Sequence, residues 1–306
     1  MAGLDGQRVW VPGGTGLLGT PLVRRLREAG ADVRADDAST CDITRAVQVA
    51  AVTKEFVPQV VINCAAFTQV DACETGEAEA MAVNADGAGH VAAAAQRVGA
   101  RLVQISTDYV FASAPDSHQG ATPRRAWRVD DAAGPPEALC AYGRTKLAGE
   151  QRVLKADSGA LIVRTAWLYG RDGPGFPQAI LRQARAGGPL RVVDDQTGSP
   201  SYAEDVADAI VRLVLAEADR ANRVVHVTNA GIATWCDFAR SLVDLAGIKT
   251  DVIPITTAES GRAARRSAWS VLDTTLYEQL THHTVRSWRD AVTDFLQNDL
   301  RDRAPD

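Results

Sequence analysis

What the sequence lacks narrows the field first. Its five cysteines, Cys41, Cys64, Cys73, Cys140 and Cys236, form no CxxC pair. Its five histidines, the adjacent His282 and His283 included, follow no metal-ligand spacing. That argues against a zinc centre and a disulfide scaffold, so no metal is expected and the thiols read as reduced cysteines of a cytoplasmic protein. No apolar run approaches the ~20 residues that cross a bilayer. The start, "MAGLDGQRVWVPGG", has neither the basic residues nor the apolar stretch of a signal peptide. Membrane is therefore not an expected partner. Excess positive charge is missing too: a formal net charge of -5 repels a phosphate backbone, so nucleic acid is not an expected partner either. The cluster Arg262–Arg266 ("RAARR") is the one notable basic spot. Internal repeats and low-complexity tracts are absent.

What is present is a chain of 306 residues, 46% hydrophobic and 23% charged, enough for one large or two small domains with ample core. Over the first ~170 residues, β-branched runs alternate with alanine- and charge-rich helical stretches. "RVWVPG", "ADVRADD", "QVVINCAA", "RLVQISTDYVF" and "LIVRTAWLYG" read as buried strands. "TPLVRRLREAG", "RAVQVAAVTKEF" and "AEAMAVNADGAGHVAAAAQRVG" read as the helices between them. Such alternation predicts an α/β fold with a doubly wound parallel sheet, covered on both faces through right-handed crossovers. "RVVHVTNAG" reads as a late strand returning to that sheet. The expected division is residues 1–172, with the strand near 223–229, as a Rossmann-type nucleotide-binding domain. The remainder of 173–306 is expected to form a smaller α/β domain.

The stretch Gly13-Gly14-Thr15-Gly16-Leu17-Leu18-Gly19 follows the first strand and opens an amphipathic helix. Glycines there permit a tight turn and bring backbone N–H groups close to a pyrophosphate at the positive end of the helix. Both GxxGxxG and GxGxxG spacings are met, which points to a dinucleotide. The second strand ends in Asp36-Asp37, about where a carboxylate meets ribose hydroxyls. The alternative is a pair of solvated turn aspartates, and Arg24 and Arg34 lie close enough to leave NADH and NADPH both open.

"AYGRTKLAGE" sets Tyr142 and Lys146 four residues apart, on one face of a helix. Taken alone they are equally an exposed pair. As a catalytic pair, the ammonium favours the phenolate and lowers the tyrosine pKa toward the working range of a proton donor. Thr107 in "STDYVF" falls at the carboxyl end of the fourth strand, where ligands of such sheets sit. Its hydroxyl there can polarise a carbonyl oxygen, although a strand end with a helix cap has the same sequence.

Seven segments in order resemble the extended short-chain dehydrogenase/reductases, and specifically the dTDP-4-dehydrorhamnose reductase family. They are "GGTGLLG", "NCAAFTQVDACE", "STDYVF", "AYGRTKLAGE", "RTAWLYG", "DDQTGSPSYAEDVA" and "RRSAWSVLDTTL". The resemblance implies an NADPH- or NADH-dependent reductase acting on the 4-keto group of a nucleotide-linked 4-keto-6-deoxyhexose. Thr107, Tyr142 and Lys146 would be catalytic, with Lys146 also holding the nicotinamide ribose. Gly13, Thr15, Gly16, Leu17, Leu18, Gly19, Asp36, Asp42, Ile43, Ala65, Ala66, Phe67 and Thr68 would line the cofactor, Ile43 and Phe67 being equally readable as core. Asp108 and Trp167 match sugar-contacting positions, and Arg265 in the basic cluster would meet the diphosphate. Relatives also imply a homodimer. This chain departs from the pattern at Trp127, Val129 and Asp131, at Arg266-Ser267 and at Gly175. All these positions are on the substrate side, so a reductase making another deoxysugar is the alternative. A non-catalytic subunit similar to the methionine adenosyltransferase β subunit is a second.

Overall fold

The computed structural model describes residues 3–112, 125–173, 175–216 and 224–299. Successive strand residues point to opposite faces, and here both sets are apolar. Val9, Val11, Ile62, Val103 and Val163 pack on one face of the sheet, against Leu22, Leu26, Ile210 and Leu213. Trp10, Val61, Leu102 and Ile162 pack on the other, against Val49, Val52, Val91 and Val153. A strand buried on both faces belongs inside a parallel sheet covered by helices, and that is the architecture.

Strands β1 (Arg8–Pro12), β2 (Asp32–Asp36), β3 (Val60–Asn63), β4 (Arg101–Thr107) and β5 (Leu161–Thr165) join Val224–His226 in one six-stranded sheet. The order is Val224–His226, β5, β4, β3, β1, β2, and every pairing is parallel. The chain moves outward from β1 to β2, then crosses back to β3 on the other side of β1. Ligands of doubly wound sheets lie outside the carboxyl ends of the strands at this reversal. The turn after β1 and the segment Cys64–Thr68 after β3 both end there.

Two expected elements come out differently. The helical stretch 78–99 is α-helical over Glu77–Met81, widens to a π-helix over Ala82–Gly87 and returns to α over Ala88–Arg97. The run "LIVRTAWLYG" is broken, because Trp167 takes a left-handed backbone, φ +46°. β5 therefore stops at Thr165, and Leu168–Tyr169 pairs in parallel with Ser201–Tyr202 instead.

Beyond β5 a separate core gathers Tyr169, Ile180, Leu181, Tyr202, Phe238, Leu242, Trp288 and Phe295. "LRVVD" and "DVIPIT" contribute its parallel strand pair, Leu190–Val193 with Val252–Ile255. Asp71, following β3, ties the two halves together. It accepts hydrogen bonds from both terminal nitrogens of Arg266, from Arg262 and from the Ala264 amide. Burial pushes this carboxyl upward, but those donors prevail and hold it at about 2. Among the described residues no helix is long and apolar enough to cross a membrane, and no group of histidine, cysteine and acidic side chains could hold a metal ion.

Candidate active site

The turn after β1 is a tight one. Gly13 has φ +74°, and a Cβ there would run into the Ala65 backbone, so only glycine lets the turn and the segment after β3 come this close. The N-terminus of the helix Gly19–Glu28 faces the space between them.

The helix Ala141–Ala156 carries Tyr142 and Lys146. Both are buried, 8% and 4% exposed, which disposes of the exposed-pair reading. The helix is fixed along its length. The Cys140 thiol caps it by accepting from the Gly143 N–H, and the Ala141 N–H donates to Glu74. Lys146 Nζ donates to the Ile105 carbonyl on β4 at 2.8 Å. Four residues further on, Glu150 forms a bidentate pair with Arg164 on β5, at 2.9 and 2.7 Å, both side chains almost fully buried. Across from it, Asn84 in the π-helical turn clamps the N–H and C=O of Phe67 and donates to Thr145. Gly149 packs so closely there that a Cβ would strike the Asn84 carbonyl.

Thr107 ends β4. Its hydroxyl accepts from the Tyr109 N–H, donates to Asp108 Oδ1 at 3.0 Å, and lies in hydrogen-bond contact with the Tyr142 phenol. One cleft of about 420 Å³ is lined by Gly13, Gly16, Leu17, Leu18, Gly19, Ala66, Thr68, Thr107, Asp108, Tyr142, Lys146 and Trp167. Most of the expected site thus converges on one place.

The electrostatics correct the expected activation of Tyr142. Burial pushes the phenol above its ordinary range, and the Asp108 carboxylate pushes it further; only the Thr107 hydrogen bond opposes them strongly. Lys146 is itself desolvated and brought down to about 8, against the pull of Glu150 and Cys64. Its ammonium is turned to a carbonyl, so here burial outweighs the attraction that sequence spacing suggested. Tyr142 is consequently a phenol and not a phenolate at neutral pH, the form a proton donor needs. Burial also raises Asp108 to about 6, against hydrogen bonds from Ser270 and Thr107.

Several expected contacts lie elsewhere. Asp36 is 5% exposed, and its Oδ2 accepts from Trp10 Nε1 and Arg34 Nε, both at 2.9 Å, so this carboxylate is committed inside the protein. Asp42 closes a local turn by accepting from the N–H and hydroxyl of Thr44. Ile43 is core, beside Gly87. Ala65 packs under the glycine turn, and Phe67 joins the cluster of Cys73, Cys140 and Tyr142. Thr15 is exposed on the loop. Arg265 does not reach the cleft but shares a small neighbouring cavity with Asp108, Trp167 and Ser270. Trp127 stacks on Phe111 with centroids 4.7 Å apart, and Asp131 pairs with Arg125; neither lines the cleft. The segment 113–124 lies outside the described residues.

Other cleft residues went unnoticed in the sequence. Ser106 Oγ and Thr165 Oγ1 are buried without a hydrogen-bond partner and belong to residues of the cleft wall. Trp235 comes from the distant helix Trp235–Leu245. Nothing at its position marks it except the threonine cap before it, Thr234.

A doubly wound sheet that gathers a threonine, a tyrosine and a lysine around a glycine-turn cleft defines a short-chain dehydrogenase/reductase. The RmlD substrate binding domain model matches residues 7–301, and the chain belongs to that family. It is 40% identical over 294 residues to the dTDP-4-dehydrorhamnose reductase of Mycobacterium tuberculosis, covering 95% of this chain and 93% of the other. It is 36% identical over 290 residues to the spore coat polysaccharide biosynthesis protein SpsK of Bacillus subtilis, covering 95% and 97%. The structure of dTDP-4-dehydrorhamnose reductase from Bacillus anthracis in complex with NADP superposes with a TM-score of 0.87 at 35% identity, covering 95% of this chain and 99% of that one.

Proposed function

We propose that this protein is a nucleotide-sugar 4-ketoreductase that converts dTDP-4-dehydrorhamnose to dTDP-rhamnose with NADPH. The observation that carries the reading is the convergence of Thr107, Tyr142 and Lys146 on the cleft that the glycine turn opens into. The chain supports a dinucleotide there by its shape: the turn carries no side chain at Gly13, Gly16 and Gly19, and the N-terminus of the helix Gly19–Glu28 opens beside it. Lys146 would hold the nicotinamide ribose, with Leu17, Leu18, Ala66 and Thr68 as the walls. When bound, the dinucleotide supplies hydride to the carbonyl carbon of the sugar. The Thr107 hydroxyl, rotated from Asp108 to the substrate, donates its one proton in a hydrogen bond to the carbonyl oxygen, polarising it. Tyr142 then gives its proton to that oxygen as the alkoxide develops. The Lys146 ammonium stabilises the phenolate left behind, and the surrounding apolar wall keeps water from competing.

NADPH is favoured over NADH by the end of β2. Asp36 is turned inward, whereas the Arg34 side chain beside it is 28% exposed; its guanidinium bridges Asp36 and Glu55, and its remaining N–H groups suit a 2′-phosphate. Arg262 and Arg266 border a second cavity with Phe176, Arg191 and Gln196, which suits a diphosphate and its nucleoside. The reading assigns residues 1–172, with the strand near 223–229, to the cofactor and the remainder of 173–306 to the substrate. A homodimer in the cytoplasm belongs to the same reading and is checked by sedimentation velocity and cell fractionation. Purified protein should oxidise NADPH with dTDP-4-dehydrorhamnose and yield dTDP-rhamnose by NMR. Tyr142→Phe should lose turnover by at least about a hundredfold while NADPH still binds. Formation of a different deoxysugar would favour the alternative reductase. Cofactor binding without turnover on any 4-ketosugar would favour the non-catalytic subunit.

A further inference from the structure

Trp167 and Trp235 lie face to face, ring centroids 3.6 Å apart and planes within 5°. The two indoles come from opposite halves of the molecule. Trp167 follows β5 and is held in a left-handed backbone that a bulky residue rarely takes. Trp235 begins a helix secured by a full capping box between Thr234 and Asp237. The Trp235 indole N–H donates to Gln196 Oε1 at 3.1 Å, and Phe176 packs against the same ring at 4.6 Å. Trp235 borders both the catalytic cleft and the arginine-lined cavity beyond it, whereas of those two Trp167 borders only the cleft. One face of Trp167 is therefore already covered, and a sugar meets a two-indole wall and not a lone tryptophan.

We infer that Trp235 is a specificity-determining residue: stacked on Trp167, it fixes the wall against which the hexose ring of a nucleotide-linked ketosugar must lie to bring its carbonyl to Tyr142. This rests on the reductase reading above. The strained backbone at Trp167 has no local sequence cause, such as glycine or asparagine, so tertiary contacts hold it. Trp235 is one of them, beside the Ser201 N–H that donates to the Trp167 carbonyl and Gly198 under its indole. A hexose that differs at one carbon is accepted or refused by the position of this wall, because the indole pair cannot yield on one side without opening the other cavity.

Three measurements on the full-length protein test this. Two indoles this close couple their transitions, so Trp235→Leu and Trp167→Phe should each change the far-ultraviolet circular dichroism of the wild type, with matching difference spectra. For the ketosugar, Trp235→Leu should raise KM roughly three- to tenfold, the worth of one aromatic stack, leave kcat within about twofold, and leave the NADPH Kd unchanged. It should also narrow the kcat/KM ratio between two 4-ketosugars epimeric at one carbon. Trp235→Phe, which keeps a stacking ring, should restore KM and discrimination and guards against misfolding of the leucine variant. Two variants whose spectra match the wild type's overturn the inference, as does a Trp235→Leu enzyme with unchanged KM and discrimination. If the wild type turns over no ketosugar but the matching difference spectra are seen, the reductase reading has failed and the stack has not.

Discussion

The buried pair of Glu150 and Arg164 offers the sharpest test of how the helix of Tyr142 and Lys146 is held. Glu150 stands one turn beyond Lys146 and two beyond Tyr142, and its bidentate bond to Arg164 pins that end of the helix to β5. Replacing Glu150 with leucine strands a buried guanidinium, a loss of about 3–5 kcal/mol. At about 2.1 cal/mol/K of unfolding entropy per residue, 306 residues give roughly 0.6 kcal/mol/K, so the melting temperature should fall by about 5–8 °C. The double variant Glu150→Leu/Arg164→Leu removes both charges and should recover most of that loss, because an apolar pair of similar volume roughly replaces a buried ion pair. Calorimetry on the three proteins decides the stability question. A second readout concerns the chemistry. Glu150 raises the Lys146 pKa against burial, so both leucine variants should lose activity at a lower pH on the alkaline side. A Glu150→Leu protein that melts within a degree or two of wild type, or a double variant no better than the single one, would refute the assigned role of the pair.

Other outcomes are equally definite. In the wild type, kcat/KM for ketosugar reduction should hold through neutrality and fall as pH rises through about 8, where Lys146 gives up its proton; steady-state kinetics across pH 6 to 10 checks this. Asp108 is raised from 3.8 to about 6, so the folded state binds more protons than the unfolded one in that window, and the group costs stability as pH rises through it. Asp108→Asn should therefore be more stable than wild type at pH 8, by up to about 3 kcal/mol, with the gain gone near pH 4 in urea unfolding. Arg34→Ala should lower the preference for NADPH over NADH by roughly tenfold or more, the worth of a charge-assisted hydrogen bond, with kcat on NADPH little changed. Asn84→Ala should raise KM for the cofactor and loosen hydrogen-exchange protection at Phe67 and Thr145, whose partners it supplies.

The sheet was legible because β1, β3 and β5 are largely apolar on both faces, and that pattern survives without knowledge of neighbours. That Thr107 ends a strand and that Tyr142 and Lys146 share a helix face was legible because both are local facts; that the three face one cleft came only with the resemblance. Asp36 was misread for the opposite reason. Its hydrogen-bond donor Trp10 lies 26 positions earlier in sequence, and only the pairing of β1 with β2 brings Trp10 alongside Arg34 and within reach of Asp36. Trp167 was read as the continuation of a strand, since nothing in "RTAWLYG" announces a left-handed tryptophan; its partner Trp235 is 68 residues away. The π-helical turn at Asn84 hides in an alanine-rich stretch whose periodicity looks like ordinary helix. The activation of Tyr142 was misjudged because spacing fixes which groups are near, whereas solvation decides which charge they carry.

Gly149 draws these threads to one point. Where its missing side chain would be, the helix of Tyr142 rests directly on the Asn84 carbonyl. An alanine there would act as a shim under a lever: the cylinder would tip as one rigid body, carrying donor and ammonium together off their target. Such an enzyme would keep every side chain of the cleft yet hold them at another angle, which makes Gly149, one of the two glycines on that helix, a residue that sets its tilt.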